Sequence, residues 1–190
     1  SFHKQWGDWR FNASGNVAFN HNEVLDLGVG GDKISNYYIN RVGEAYNSFY
    51  GYVADGLFQS QEEADQFTKT YGNPFGKAFK AGDIRYKDLN GDGIIDKGKV
   101  TLDNPGDQKV IGNSTPRYRF NLQGGIGWHG FDIRAIFEGV MKRDLWTGSD
   151  VFWGFSRGIY NSNVTQYHID NTWTYENPTA YYPRPNTDGN

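Results

Sequence analysis

The sequence predicts an all-β protein, on the basis of three observations: segments with strict two-residue alternation, a composition rich in glycine and aromatic residues, and the lack of any long apolar run. The 190 residues include 25 Gly, 6 Trp, 13 Tyr and 13 Phe. No stretch approaches the ~20 apolar residues that a membrane helix needs. A membrane-crossing strand needs only ~9 to 11 alternating residues, so a membrane β-barrel stays open as a fold class.

Charge and cysteine content exclude several classes of function. The formal net charge is -3, which leaves no basic surface suited to nucleic acid. The chain has no Cys, so it can form no disulfide, no thiolate metal site and no cysteine nucleophile. The functional signals are therefore to be found in the alternation pattern and in local motifs.

Three segments alternate between apolar and polar residues with period 2, which is typical of strands. One strand is predicted at residues 9–20, and a hairpin at 116–140 whose turn is His129-Gly130. The larger apolar residues of these strands are Trp9, Phe11, Val17, Phe19, Tyr118, Phe120, Leu122, Ile126, Trp128, Phe131, Ile133 and Phe137.

The opposite faces of these strands carry Arg, Asn, Gln, Asp and Glu together with small residues. An apolar outer face and a polar inner face suit a barrel with lipid outside and a wet lumen. Trp9 and Trp128 lie at strand ends, where amphipathic rings would meet the lipid headgroups. Alternation alone also permits a soluble two-sheet protein with amphipathic strands.

Two long segments, 21–115 and 141–190, alternate poorly and are predicted to be functional loops. Within the first, Ser60 and Glu63 form a capping-box pattern that predicts a short helix to about Thr70, ended by Tyr71-Gly72-Asn73-Pro74. Short turns on one side and very long loops on the other are typical of outer-membrane barrels, in which the long loops lie outside the cell.

Residues 88–96 match the first nine positions of a calcium-binding loop, with Gly93 at its sharp turn. Position 12 is Lys99 instead of the usual bidentate Glu, so the loop would have to borrow ligands, for example from Asp83 or Asp103. The alternative is a turn with solvated acids. The predicted ligands are the side chains of Asp88, Asn90, Asp92 and Asp96 and the carbonyl oxygen of Ile94.

Aromatic residues crowd the segment 141–190, with Asn and Arg between them. Aromatic faces suit sugar rings and peptide side chains, so we predict that Trp146, Trp153 and Trp173 contact a ligand or a partner protein. The alternative is that these rings pack the loop against itself. We find no nucleophile elbow, zinc signature or paired carboxylates in a recognisable frame, and catalysis is not predicted.

Three runs in the middle of the chain resemble signature motifs of SusC/RagA-type TonB-linked outer-membrane proteins. These runs lie at residues 50–63, 81–96 and 111–118, and their order and spacing agree with the family. The resemblance covers most of residues 9–140. The chain departs from the family at Ala45, where Pro is expected, and at Lys97 and Lys99, where the family is often acidic.

The resemblance implies a fragment of a plugged transmembrane barrel of about 22 strands in the outer membrane of a Gram-negative bacterium. A few strands alone would leave unsatisfied backbone groups in lipid, so we expect this chain to be one part of the barrel domain. The resemblance also implies a SusD-like surface lipoprotein over the extracellular loops, a glycan or peptide substrate, and TonB contact through a part of the protein outside this chain.

Two other classes of function stay open. The first is a secreted, calcium-stabilised, β-rich carbohydrate-binding module. The second is an enzyme such as a glycan hydrolase, for which the sequence offers the least support.

Overall fold

The computed structural model describes residues 1–28, 30–35, 37–73, 75–101, 103–154 and 164–185. The prediction of an all-β fold is confirmed: the regular secondary structure of the described residues is mostly antiparallel strand, with little helix. None of its helices is both long enough and apolar enough to cross a membrane. The strands are β1 Phe2–Trp6, β2 Trp9–Phe19, β3 Lys33–Ser35, β4 Tyr38–Asn40, β5 Ser48–Tyr52, β6 Ala54–Leu57, β7 Ile84–Tyr86, β8 Gln108–Asn113, β9 Tyr118–Trp128 and β10 Phe131–Met141. The helices are α1 Gln61–Tyr71, α2 Asp150–Trp153 and α3 Gln166–Asn171.

The largest sheet is antiparallel and has the strand order β1-β2-β9-β10. Strand β2 falls within the segment predicted at 9–20, and β9 and β10 form the hairpin predicted at 116–140, with β10 ending one residue later at Met141. Strand β1 was not predicted, because Lys4 interrupts the apolar positions of Phe2 and Trp6. Its tight connection to β2 is Gly7-Asp8, in which Gly7 has a φ of +58° that favours glycine.

The register places the short turns at one end of this sheet and the long connections at the other. Trp6, Trp9, Trp128 and Phe131 lie side by side at the end with the turns. Phe19, Tyr118 and Met141 lie side by side at the opposite end, from which the long segments leave. We call the two ends the turn end and the loop end.

The chain divides into two compact units. Unit 1 comprises Ser1–Phe49 and Gly112–Leu145, and unit 2 comprises Tyr50–Ile111 and Trp146–Asn190. Unit 1 contains the four-stranded sheet and a small buried group that includes Ile39 and Phe49. A second sheet has the strand order β3-β4-β5-β8.

Unit 2 has a hydrophobic core of its own, in which α1 packs beside the two-stranded sheet β6-β7. Phe58, Ala64 and Phe79 are buried there, and Phe67 and Tyr86 pack against them. The helix begins as the capping-box pattern predicts: the Ser60 hydroxyl oxygen accepts a hydrogen bond from the Glu63 N–H at 3.1 Å. It ends at Gly72, whose φ is +75°.

The segment 21–115 therefore has secondary structure of its own and is not an irregular loop. It contains strands β3 to β8 and helix α1. These strands have only three to six residues each, which is too short for alternation to identify them. Of the segment 141–190, residues 155–163 and 186–190 lie outside the described residues, as does Pro74 at the predicted helix end.

Candidate functional site

The four-stranded sheet of unit 1 has one apolar face that is largely exposed. Ile133 is 74% exposed, Phe137 63% and Leu122 51%. Aromatic residues lie in a row across each end of this face, namely Trp6, Trp9, Trp128 and Phe131 at the turn end and Phe19 and Tyr118 at the loop end. Trp9 stacks on Trp128 with ring centroids 5.6 Å apart. The face spans ten residue steps from Trp9 to Phe19, or about 33 Å of strand at ~3.3 Å per residue. A strand tilt of ~40° reduces this to about 25 Å, the height of the apolar band of a membrane barrel.

Large and small side chains alternate across the strands of this face. A side chain on Gly15 would lie 2.7 Å from Leu122 Cδ2, and one on Gly139 would overlap the ring of Phe120. The glycines therefore leave room for bulky neighbours, which smooths the apolar surface. Lys4 is the charged residue on this face, where it lies opposite Phe11.

The other face of the sheet is polar and is cross-linked between strands. Arg10 and Asp132 form an ion pair at 3.2 Å across Gly127, where a side chain would collide with both. Gln123 Nε2 donates to Ser14 Oγ at 2.6 Å, and Asn121 Nδ2 donates to Glu138 Oε1 at 3.0 Å. This network holds strands β2, β9 and β10 together through polar groups that can also meet water or a polar ligand.

The calcium-like loop 88–96 of unit 2 is closed by its own hydrogen bonds. The Asp88 carboxylate accepts from the N–H groups of Gly91 at 2.6 Å and Gly93 at 2.9 Å. Asn90 Nδ2 donates to Asp92 Oδ2 at 2.8 Å, and Asp96 Oδ1 accepts from the Gly98 N–H at 2.7 Å. Within the described ranges, no three His, Cys, Asp or Glu side chains are grouped closely enough to hold a metal ion. Calcium binding stays a prediction.

Asp107 is a buried acid that the sequence analysis missed. Its side chain is fully buried, and its two oxygens accept hydrogen bonds from the N–H groups of Leu89 at 2.7 Å and Asp96 at 2.8 Å. It therefore ties the beginning of the calcium-like loop to its end. Burial and the nearby carboxylates of Asp96 and Asp107 raise the pKa of Tyr52. Asp107 lies outside the 88–96 motif, and only the three-dimensional structure brings the two together.

The three tryptophans predicted to contact a ligand lie in unit 2 in different environments. Trp146 is 43% exposed. Trp153 is half-buried, and its indole N–H donates to the Thr147 carbonyl oxygen. Trp173 is only 5% exposed, so its ring has little surface to offer a ligand in this structure. Ligand contact stays a prediction for all three, and the burial of Trp173 favours a packing role.

Trp173 packs against the beginning of the motif 81–96. A side chain on Gly82 would overlap the Trp173 ring, and the φ of Gly82 is +82°. Next to it, Arg184 Nε donates to Asp83 Oδ1 at 2.6 Å, and the Arg184 N–H donates to the Gly82 carbonyl oxygen at 2.9 Å. Asp83, considered above as an additional calcium ligand, is thus held in an ion pair.

Tyr182 is the centre of a second aromatic group in unit 2. It is 4% exposed, and the rings of Tyr181 and His168 lie 5.0 and 5.1 Å from it. Burial, together with the neighbouring hydroxyls of Tyr167 and Tyr181, raises the pKa of Tyr182. His168 is buried as well, and its Nε2 bonds to the Phe152 carbonyl oxygen at 3.1 Å.

The chain is similar to three TonB-dependent receptors of Formosa agariphila. It is 27% identical to TonB-dependent receptor P26 over 180 residues, which cover 90% of this chain and 16% of that protein. It is 26% identical to receptor P3 over 145 residues (76% and 13%) and 23% identical to receptor P39 over 197 residues (88% and 18%). No protein-family model matches the chain.

This chain thus spans about a sixth of the length of the curated relatives that it matches. The similarity extends over most of the chain, and the antiparallel sheet agrees with an all-β fragment of a barrel. TonB-dependent receptors are outer-membrane proteins of Gram-negative bacteria. Together, the similarities and the sheet support the TonB-dependent receptor family for this chain.

Proposed function

We propose that this chain forms part of the barrel wall of an outer-membrane, TonB-dependent importer of the SusC/RagA type. The observation that carries the proposal is the two-faced sheet of unit 1, with an exposed apolar face bounded by aromatic rows and a cross-linked polar face. The apolar face meets lipid, and the polar face lines the lumen.

The exposed apolar face argues against the alternative of a secreted carbohydrate-binding module. Soluble monomers rarely expose contiguous apolar patches larger than a few hundred Å². Here large side chains such as Phe131 and Ile133, each 74% exposed, continue along three neighbouring strands. The outer edges of β1 and β10 pair with further strands of the same barrel, because unpaired backbone groups are costly in lipid.

The segments that leave the loop end form the extracellular part of the importer in this proposal. There, a SusD-like lipoprotein covers them and a glycan or peptide substrate passes inward, driven by TonB acting on another part of the receptor. The exposed ring of Trp146 and the half-buried ring of Trp153 contribute to substrate or lipoprotein contact, while the buried ring of Trp173 packs against Gly82.

Calcium binding by the loop 88–96 is part of the proposal. Its support is the spacing of the oxygen-bearing residues and the tie that Asp107 forms across the loop, which keeps both ends of the loop in place. An ion there would stiffen the extracellular region without taking part in transport chemistry.

Cysteine labelling of β10 tests the orientation of the sheet, since this chain has no Cys of its own. Single cysteines replace Ile133 and Phe137 on the apolar face, and Arg134 and Glu138 on the polar face, in a full receptor without other cysteines. In intact outer membranes, a lipid-soluble maleimide should label the first pair, and a charged, water-soluble maleimide should label the second.

Labelling with a period of two residues supports the proposed orientation. Equal reaction of all four cysteines with the charged reagent would refute it, because the apolar face would then lie in water. Unfolded receptor serves as the control, since all four positions should react there with both reagents.

A further inference from the structure

Asn90-Gly91 in the calcium-like loop is the single Asn-Gly pair in the sequence. Both residues are exposed, and Gly91 has a φ of +76°. The side-chain amide of an asparagine can be attacked by the backbone nitrogen of the next residue. Glycine obstructs this attack least, because it has no side chain. The reaction is deamidation, which converts the amide into a carboxyl group.

The loop holds the Asn90 amide over the peptide that would attack it. Asn90 Oδ1 accepts a hydrogen bond from the Asp92 N–H at 3.0 Å, which closes an Asx turn. Only rotations about two bonds of Asn90 set the distance between its Cγ and the Gly91 nitrogen, and the turn restricts both rotations. The Asp92 N–H also stabilises the negative charge that develops on Oδ1 when Cγ is attacked.

The Gly91 N–H points at a base, the carboxylate of Asp88. It donates to Asp88 Oδ1 at 2.6 Å, and the Gly93 N–H donates to Asp88 Oδ2 at 2.9 Å. The second bond fixes the carboxylate, so Oδ1 stays on the hydrogen that must leave the attacking nitrogen. Its distance from that nitrogen lies within the reach of a general base.

We propose that Asn90 is a site of self-catalysed deamidation in which Asp88 acts as the base. The Gly91 nitrogen forms a bond to Asn90 Cγ while its proton passes to Asp88. This proton is then delivered to Asn90 Nδ2, which leaves as ammonia when its bond to Cγ breaks. The resulting succinimide takes up water and opens to aspartate or isoaspartate at this position. The inference concerns the loop alone and does not depend on the proposed function.

The products lack one of the bonds that hold the loop. Asn90 Nδ2 donates to Asp92 Oδ2 at 2.8 Å, whereas a carboxylate in its place has no hydrogen to donate. The new charge also repels the Asp92 carboxylate. Deamidation therefore loosens the loop 88–96 as the receptor ages.

The test follows the loss of the Asn90 amide in the intact receptor during incubation in mildly alkaline buffer. A chelator keeps divalent cations out of the loop, and peptide mapping by mass spectrometry measures the amide and both products. Asn113-Ser114 and Asn73-Pro74 are internal controls, because Oδ1 of each Asn accepts from the N–H two residues further on, at 2.8 and 2.9 Å. The Ser side chain crowds the attacking nitrogen, and Pro has no N–H to give up. The amide should therefore be lost fastest at Asn90.

Two variants that each remove one negative charge separate the base from its neighbour. Asp88→Asn removes the proposed base, and Asp92→Asn is the matched control, since the backbone N–H of this residue remains. We expect Asp88→Asn to slow the loss of the Asn90 amide by about tenfold, less than the ~10² to 10⁴ of an enzyme's general base, because hydroxide from the solvent also removes the proton. Asp92→Asn should react at a rate close to that of the parent receptor. Unfolded in urea, all three proteins should react equally fast, because the hydrogen bond to Asp88 is lost.

Four results would overturn the inference. Loss of the amide at Asn113 as fast as at Asn90 would exclude a special site. An unchanged rate in Asp88→Asn would exclude the base, and an equal slowing in Asp92→Asn would assign the effect to the charge of the loop. The same difference between the variants in urea would assign it to the local sequence instead of the folded loop.

Discussion

Replacing Leu122 by Arg should damage the receptor far more than replacing the next residue, Gln123, by Arg. Leu122 lies on the apolar face, four residue steps from Tyr118 and six from Trp128, which places it near the middle of the band. An Arg at the midplane of a membrane barrel costs about 2 to 4 kcal/mol on the lipid face. The change also removes the Leu122 side chain that covers Gly15.

Gln123 lies on the polar face, and its Nε2 donates to Ser14 Oγ at 2.6 Å. An Arg there loses at most this one hydrogen bond, worth about 0.5 to 1.5 kcal/mol, and its charge would meet water in the proposed lumen. We therefore expect the two variants to differ by about 0.5 to 3.5 kcal/mol in the free energy of unfolding.

The assay is reversible unfolding of the full receptor in urea after folding into lipid vesicles, with unfolding followed by tryptophan fluorescence. Leu122→Ala serves as a control that removes packing without adding charge, so the excess loss in Leu122→Arg reports the charge in lipid. Equal destabilisation by the two Arg variants would refute the assignment of the faces, because both side chains would then meet the same solvent.

Four further predictions concern unit 2. Gly82→Ala should destabilise unit 2 by more than about 1 kcal/mol, since a Cβ at this position overlaps Trp173 and the positive φ disfavours Ala. Faster limited proteolysis of the 80–87 region would show this, and unchanged proteolysis would contradict it. Burial raises the pKa of Tyr86 and of Tyr182 above 10, so both hydroxyls stay neutral in the folded protein at a pH at which they ionise in the unfolded chain. The free energy of unfolding should therefore fall as the pH rises past about 10, which thermal unfolding combined with tyrosinate absorbance would measure. Calcium at millimolar concentration should raise the unfolding temperature of the receptor but not that of Asp92→Ala, and magnesium should not replace it; an equal rise in both proteins would exclude this loop. Trp146→Ala/Trp153→Ala should weaken substrate uptake or lipoprotein binding while barrel assembly persists, and unchanged uptake and binding would assign these rings to packing alone.

The sequence was sufficient to predict three of the four strands of the large sheet, because each residue in a two-faced strand has one of two environments. Alternation over eleven residues in β2, β9 and β10 reports directly which side chains share a face. Helix α1 was predictable as well, since Ser60 and Glu63 carry the cap within four residues. Strand β1 was missed because five residues with Lys4 among them give too short a pattern.

The contacts that organise unit 2 could not be predicted, because they join residues far apart in the chain. Asp83 and Arg184 are 101 positions apart, and the partner of Gly82 is Trp173. Nothing near Asp107 in the sequence indicates that its carboxylate closes the loop 88–96. For Trp173 the local pattern left two roles open, since an aromatic residue in a polar loop can serve packing as well as binding.

These long-range contacts change the interpretation of the motif 81–96. Its charged residues are engaged within unit 2: Asp83 binds Arg184, Arg85 pairs with Glu63 and bonds to the Asp55 carbonyl oxygen at 2.8 Å, and Lys87 pairs with Asp55 at 3.2 Å. Residues that are already committed to neighbours in this way position the surrounding chain. We therefore expect substrate selectivity to depend on the exposed residues outside this motif, and substitutions within the motif to act first on the stability of unit 2.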